Sequence, residues 1–264
     1  MAHNLFDLSG KFAFVTGATK GIGRSIAEAF TDHGATVVVT GRKAEDAEQA
    51  AAELNARAGR EAAFGQAFEV TDLENSIASY DAAVARFGRI DIVVLNAAAL
   101  IHDFGPAEKF KIEDYREMMN ANVVNNTAVL NHAAAAMKER RDGVLLVTSS
   151  GGGVRPSYGV FPYAVSKAGL NFVVRTLAAE LAPYNVRLNA VAPGLTMSHS
   201  LAQTMEAQPE VIEGFKQHIP LQRITQPEEI AAGMVFLAST AGRAMTGQVL
   251  SIDGGEPVLG IPKP

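Results

Sequence analysis

Short apolar runs that alternate with longer helical patterns most narrow what this chain can fold into. Phe12-Ala-Phe-Val-Thr16, Thr36-Val-Val-Val-Thr40, Ala63 to Val70, Asp91-Ile-Val-Val-Leu95, Gly143-Val-Leu-Leu-Val-Thr148, Val186 to Val191 and Gln248-Val-Leu-Ser-Ile252 read as strands. Between them, Ser25 to His33, Ala44 to Arg57, Leu73 to Phe87, Ile112 to Arg140, the segment opening at Tyr163 and the segment opening at Pro227 read as helices. Strands buried on both faces and alternating with helices predict an α/β fold with a doubly wound parallel sheet. No linker, low-complexity tract or internal repeat divides residues 1–264, so one domain is expected. Right-handed crossovers put the ligand crevice at the carboxyl ends of the strands. Leu195 to Ile219 departs from the alternation and is rich in Met, His, Gln and Ser. It predicts a small mobile lid over that crevice.

Composition removes several function classes. The chain is 48% hydrophobic and 19% charged, the balance of a globular core. Its net charge is −5 and its basic residues form no long run, which disfavours a nucleic-acid partner. No apolar stretch is long enough to span a bilayer. Met1 to Lys11 contains no signal-peptide core, so a cytoplasmic protein is expected. With no cysteine there is no thiol nucleophile, and the six histidines include no His-x-x-x-His pair. A metal site has no support.

Two motifs carry chemistry. The first is Thr16-Gly-Ala-Thr-Lys-Gly-Ile-Gly23, between the first strand and its helix. Gly17, Thr19, Lys20, Gly21, Ile22 and Gly23 form a tight loop whose backbone can approach a phosphate, with a helix N-terminus behind it. Glycines also serve plain turns, but the strand-loop-helix context favours a nucleotide. Strand two ends in Thr40-Gly41-Arg42-Lys43, without the acid that would bind a ribose 2′-OH. Arg42, with Lys20 nearby, suits a 2′-phosphate instead, which favours NADP(H) over NAD(H).

The second is Tyr163-Ala-Val-Ser-Lys167. Four residues apart on a helix, the phenol and the ammonium share one face. A free tyrosine titrates at about 10 and is a poor acid-base group at neutral pH. A nearby ammonium lowers that value, which would make the pair a tuned proton donor and acceptor. Taken alone, the same spacing also describes a ring packed on a lysine stem.

Together, in this order, the motifs resemble the short-chain dehydrogenase/reductase family over nearly the whole chain, with its Rossmann-type fold. Thr16-Gly-x-x-x-Gly-Ile-Gly23 is similar to the family's cofactor motif, and Tyr163-x-x-x-Lys167 to its catalytic motif. Ser150 in Val147-Thr-Ser-Ser150 lies where the family's serine lies, and Asn122 matches its fourth catalytic residue. Val191-Ala-Pro-Gly194 resembles the segment that contacts nicotinamide, and Ser251-Ile-Asp-Gly-Gly255 the usual ending. The family's Asn-Asn-Ala-Gly stands here as Leu95-Asn96-Ala97-Ala98, its adenine-facing aspartate as Glu69 before Val70, and its later threonine as Ser198.

The resemblance implies hydride transfer between a nicotinamide and a carbonyl or alcohol carbon. Tyr163 would donate the proton. Lys167 would lower the tyrosine's pKa and bind the nicotinamide ribose, Ser150 would hold the substrate oxygen, and Asn122 would hold a water linking Lys167 to solvent. Gly17 to Gly23, Arg42, Glu69, Val70, Asn96, Tyr163, Lys167, Pro193, Gly194, Thr196 and Ser198 would contact the cofactor. Enoyl reductases of related fold carry their tyrosine near the place of Val160, which disfavours C=C reduction. Pro156 to Phe161, Ala97 to Phe104 and the lid would line an apolar substrate pocket. Arg155 would meet either solvent or a substrate anion. Arg140 and Arg141 would offer some basic surface to an acyl carrier, for a 3-oxoacyl thioester substrate. A homotetramer is implied, with the tail Glu256 to Pro264 reaching a neighbour. An NAD-dependent alcohol, sugar or steroid dehydrogenase and a non-catalytic nucleotide-binding scaffold remain the alternatives.

Overall fold

The computed structural model describes residues 4–100, 104–198, 201 and 209–255. Seven parallel strands form one sheet, β1 (Phe12–Val15), β2 (Thr36–Gly41), β3 (Ala63–Ala67), β4 (Ile92–Leu95), β5 (Gly143–Thr148), β6 (Val186–Pro193) and β7 (Val249–Ile252). Their order is β3-β2-β1-β4-β5-β6-β7. The chain runs outward from β1 to β3, then returns to the other side of β1 at β4. The ends of β1 and β4 therefore diverge into a crevice at the switch point.

Helices cover both faces, as strands without a solvent side require. On one face lie α1 (Gly21–Asp32), α2 (Ala44–Ala58) and the last helix, Pro227–Ala238, packed on Val15, Val37, Val39 and Val94. On the other lie α3 (Leu73–Phe87), α4 (Ile112–Met119), α5 (Asn126–Arg140) and α6 (Phe161–Leu181), around Phe14, Val93, Leu145 and Val147. Phe14 and Phe30 are fully buried. Side chains of that size each contribute roughly 2–3 kcal/mol. In chain order the remaining helices are α7 (Pro209–Gln217) and α8 (Pro227–Ala238).

Three local differences from the sequence reading have physical causes. Helix α1 begins at Gly21, not at Ser25. Glycine is a weak helix former, so the pattern hid a first turn whose backbone must sit against its neighbours. A Cβ at Gly23 would collide with the Gly17 carbonyl oxygen and reach within 2.6 Å of Asn96 Nδ2. Strand β3 stops at Ala67, because the Glu69 N–H is taken by Asn75 Oδ1 at 2.8 Å. The long helix over 112–140 is interrupted by a π turn at Asn120–Asn125. There the Asn126 Nδ2 and Thr127 Oγ1 side chains donate to the carbonyls of Asn122 and Val123, at 3.1 and 2.6 Å. Side-chain donors of this kind loosen a helix, and π turns concentrate at functional sites.

Of the expected lid, α7 is helical and Ile219 is buried. Residues 199–200 and 202–208 of the lid, 101–103 of the expected pocket wall, and the tail 256–264 lie outside the described residues.

Candidate active site

A cavity of about 690 Å³ opens at the switch point. It is lined by Gly17, Thr19, Lys20, Gly21, Ile22, Gly23, Arg42, Glu69, Val70, Asn96, Ser150, Tyr163, Lys167, Pro193, Gly194, Thr196 and Ser198. The strand ends thus bring together every expected catalytic and cofactor-contact residue except Asn122, which stands behind the wall.

The β1–α1 side is a backbone cradle. Gly17 and Gly21 have φ of +63° and +58°, a region where glycine carries no steric cost. Lys20, the N-cap of α1, makes no side-chain cap, so the first amide groups of the helix have no side-chain acceptor. A Cβ built on Gly21 meets nothing within 4 Å, so space lies in front of that terminus. An open helix N-terminus with space before it fits a phosphate. Lys20 and Arg42 are exposed at its rim, and neither makes an ion pair among the described residues. Asn96 braces the loop: its Nδ2 donates to the Thr16 and Gly17 carbonyls at 3.1 and 3.2 Å, and its Oδ1 accepts from Thr148 Oγ1 at 3.1 Å. Glu69 turns its carboxylate onto the Thr71 amide and hydroxyl, at 3.1 and 2.8 Å.

The β5–α6 side holds the titratable groups. Tyr163 is in the first turn of α6, and Ser150 follows β5. Burial pushes the Tyr163 phenol above its usual value, while a hydrogen bond with the Ser150 side chain pulls it down. Lys167 is fully enclosed. Its Nζ donates to the Thr148 carbonyl at 2.9 Å and lies 5.6 Å from the centre of the Tyr163 ring. Loss of hydration pushes its pKa down to about 8. For the Tyr163 phenol, burial outweighs the hydrogen bond with Ser150, so its pKa lies above the usual tyrosine value.

Asn122 is buried behind the wall and makes a network of side-chain hydrogen bonds. Its Oδ1 accepts from the Ala99 amide at 2.8 Å, and its Nδ2 donates to the Ala99 carbonyl and to Ser166 Oγ, both at 3.0 Å. It ties the π turn to the β4 loop and to Ser166, the neighbour of Lys167.

The Arg155 guanidinium is largely enclosed and ion-paired with Asp253. Arg140 donates to the Ile90 carbonyl, and Arg141 to the Pro183 carbonyl at 2.7 Å. Pro156 to Phe161 stand apart from the cavity lining, with the Phe161 ring edge-on to Tyr115. Sequence reasoning missed Gly41, Thr148, Ser149 and Glu117 in the lining. The first three end strands β2 and β5, where the fold rule could have found them. Glu117 comes from α4 and had no signal.

The family model described as enoyl-(acyl carrier protein) reductase matches residues 17–256. The 3-oxoacyl-(acyl-carrier-protein) reductase FabG of Aquifex aeolicus is 34% identical over 248 residues, covering 94% of this chain and 98% of that protein. This chain belongs to the short-chain dehydrogenase/reductase family. As a member it is an oxidoreductase, and some of the solved structures it resembles hold nicotinamide cofactors. A 7α-hydroxysteroid dehydrogenase complexed with NADH and 7-oxo glycochenodeoxycholic acid is 32% identical, with a TM-score of 0.87 over 97% of this chain and 98% of that one. A gluconate 5-dehydrogenase from Burkholderia cenocepacia, in complex with NADP and tartrate, is 28% identical, with a TM-score of 0.87 over 96% and 97%. No helix among the described residues is long and apolar enough to cross a membrane, and no cluster among them could hold a metal ion.

Proposed function

We propose that this short-chain dehydrogenase/reductase is an NADP(H)-dependent reductase of ketones or 3-oxoacyl compounds, with residues 1–264 forming one catalytic domain. The observation that carries the reading is that Ser150, Tyr163 and a buried Lys167 line one cavity with the open N-terminus of α1. Gly17 to Gly23 would hold the cofactor's phosphates, and Lys20 and Arg42 its 2′-phosphate. When bound, the nicotinamide supplies the hydride.

The chain's own groups do the rest. Tyr163 Oη donates its proton to the carbonyl oxygen as charge develops there. The phenol is protonated at neutral pH, the state a proton donor needs. Ser150 Oγ donates a hydrogen bond to the same oxygen. Lys167, held by Thr148, places a proton-bearing amine behind the phenol. Asn122 positions Ser166 and the Ala99 loop and is a positioning residue. Val160, at the N-cap of α6, has no proton to give, so C=O and not C=C is the bond reduced.

Arg140 and Arg141 are engaged by carbonyls, which favours a free ketone or small thioester over a carrier-bound substrate. Phe161, Val165 and Phe172 form an exposed apolar stripe on α6, which supports a homotetramer packed through that helix. The protein is read as cytoplasmic.

The test is a cofactor-coupled screen over ketones, acetoacetyl thioesters and secondary alcohols, run with NADPH and NADH. Ketone reduction with tighter NADPH binding is expected. Equal affinity for NADH would sink the reading of Arg42 and favour the NAD-dependent dehydrogenase. Turnover that survives Tyr163→Phe would remove the proton donor. No turnover on any substrate, with cofactor bound, would leave the nucleotide-binding scaffold.

A further inference from the structure

The turn Gly151–Gly153 carries Ser150 into the cavity, and it is clamped on two sides. Toward α6, Asn171 Nδ2 donates to the Gly153 carbonyl at 3.0 Å, and a Cβ on Gly153 would come within 2.7 Å of the Lys167 carbonyl carbon. Away from α6, Arg155 closes the turn through its amide, bonded to the Gly151 carbonyl at 2.9 Å. Its guanidinium then crosses to Asp253, 98 residues later, just past the end of β7. Both side chains are largely enclosed, at 15% and 10% exposure. The other oxygen of Asp253 accepts from the Gly255 amide at 2.9 Å, and neighbouring Ile252 accepts the Gly194 amide at 3.0 Å.

An enclosed ion pair is a poor source of stability, because each ion loses its hydration and an apolar pair of similar size packs as well. What it supplies is a fixed register. Here the register is between the Ser150 turn and the strand end that also holds Gly194, on the cavity wall. We infer that Arg155 and Asp253 are positioning residues that set Ser150 against Tyr163, an assignment that rests on the proposed ketone reduction. Arg155 acts through Ser150 and touches neither substrate nor cofactor.

A double-mutant cycle tests this, with Arg155→Met and Arg155→Lys made in the wild-type and Ser150→Ala backgrounds. In the wild-type background, Arg155→Met should lower kcat about 30-fold, since displacements of about 1 Å at a catalytic group cost up to about 100-fold. NADPH affinity, followed by cofactor fluorescence, should stay within about twofold. Arg155→Lys, which keeps the charge, should recover most of the loss. In the Ser150→Ala background the same Arg155→Met change should cost less than about twofold, because the group it positions is gone. An equal loss in both backgrounds, or a folded Arg155→Met protein with wild-type kcat, overturns the assignment. If Arg155→Met does not fold, Arg155→Met with Asp253→Leu strands no charge and should fold yet stay slow. Wild-type kcat in that variant also overturns it. A readout without turnover separates this from the proposed reaction. In ring-labelled tyrosine NMR, the Tyr163 phenol of Arg155→Met should titrate as it does in Ser150→Ala. That match with no ketone reduced would retain the clamp and reject the reaction; wild-type titration would reject the clamp.

Discussion

The two walls of the cavity differ in how their polar groups are used. On the β1–α1 wall, Lys20 and Arg42 make no ion pairs among the described residues, and the N-terminus of α1 has no side-chain cap. On the β5–α6 wall, Asn122 is satisfied by Ala99 and Ser166, Lys167 by Thr148, and Arg155 by Asp253. One wall keeps its charge and its donors in reserve for an anion that arrives. The other spends its polar groups on each other and leaves the hydroxyls of Tyr163 and Ser150 facing the cavity. Binding requires unfilled donors, whereas proton transfer requires groups that do not move.

The comparison breaks first at Tyr163. Tyr163→Phe should lower turnover by about 10³-fold or more while NADPH titrates as in the wild type, since general-acid catalysis contributes about 10²–10⁴. Comparable activity in a steady-state assay would mean the β5–α6 wall does no proton chemistry.

Asn122→Ala probes the same wall through stability. It strands the Ala99 amide and carbonyl and leaves Ser166 Oγ only its bond to the Tyr163 carbonyl, and buried unpaired groups cost about 1–3 kcal/mol each. A loss of about 2–4 kcal/mol in urea unfolding is expected. An unchanged midpoint would show that the network is looser than its distances indicate.

On the other wall, Arg42→Ala should weaken NADPH about 10- to 50-fold and NADH less than about threefold, with no change in urea midpoint, because a charged hydrogen bond contributes about 1.5–3 kcal/mol. Parallel losses for both cofactors would place Arg42 away from the 2′-phosphate.

The smallest effect concerns pH. Loss of hydration pushes Lys167 down to about 8 in the folded protein, from an ordinary lysine value of 10.5. Between those values the unfolded chain binds the proton and the folded protein does not, so stability rises with pH through that window. Below the window the folded state carries the full cost of a buried ammonium. Relative to Lys167→Met, the wild type should therefore gain about 2–4 °C in Tm between pH 7.5 and 9.5. A parallel course of the two proteins would show that the amine is hydrated.

Legibility in the sequence followed the same division. The glycine loop, Arg42 and the Tyr163–Lys167 spacing are local patterns, and each lies on the cavity the structure forms. Asn122 was legible as a residue but its partners were not, because Ala99 and Ser166 are 23 and 44 residues away. Arg155 read as solvated or ligand-binding for the same reason, since Asp253 lies at the far end of the chain. The π turn was invisible because an α-helical period runs unbroken through Asn120–Asn125 in the sequence.

The sequence by itself determined the parallel α/β sheet, the glycine loop and the Tyr163–Lys167 spacing, because strand burial, glycine freedom and one helical turn are all short-range constraints. The tertiary structure alone decided which charges remain open and which are consumed, and that burial raises rather than lowers the Tyr163 pKa. Both outcomes depend on desolvation and on partners distant in sequence, which exist only once the sheet has closed around the cavity.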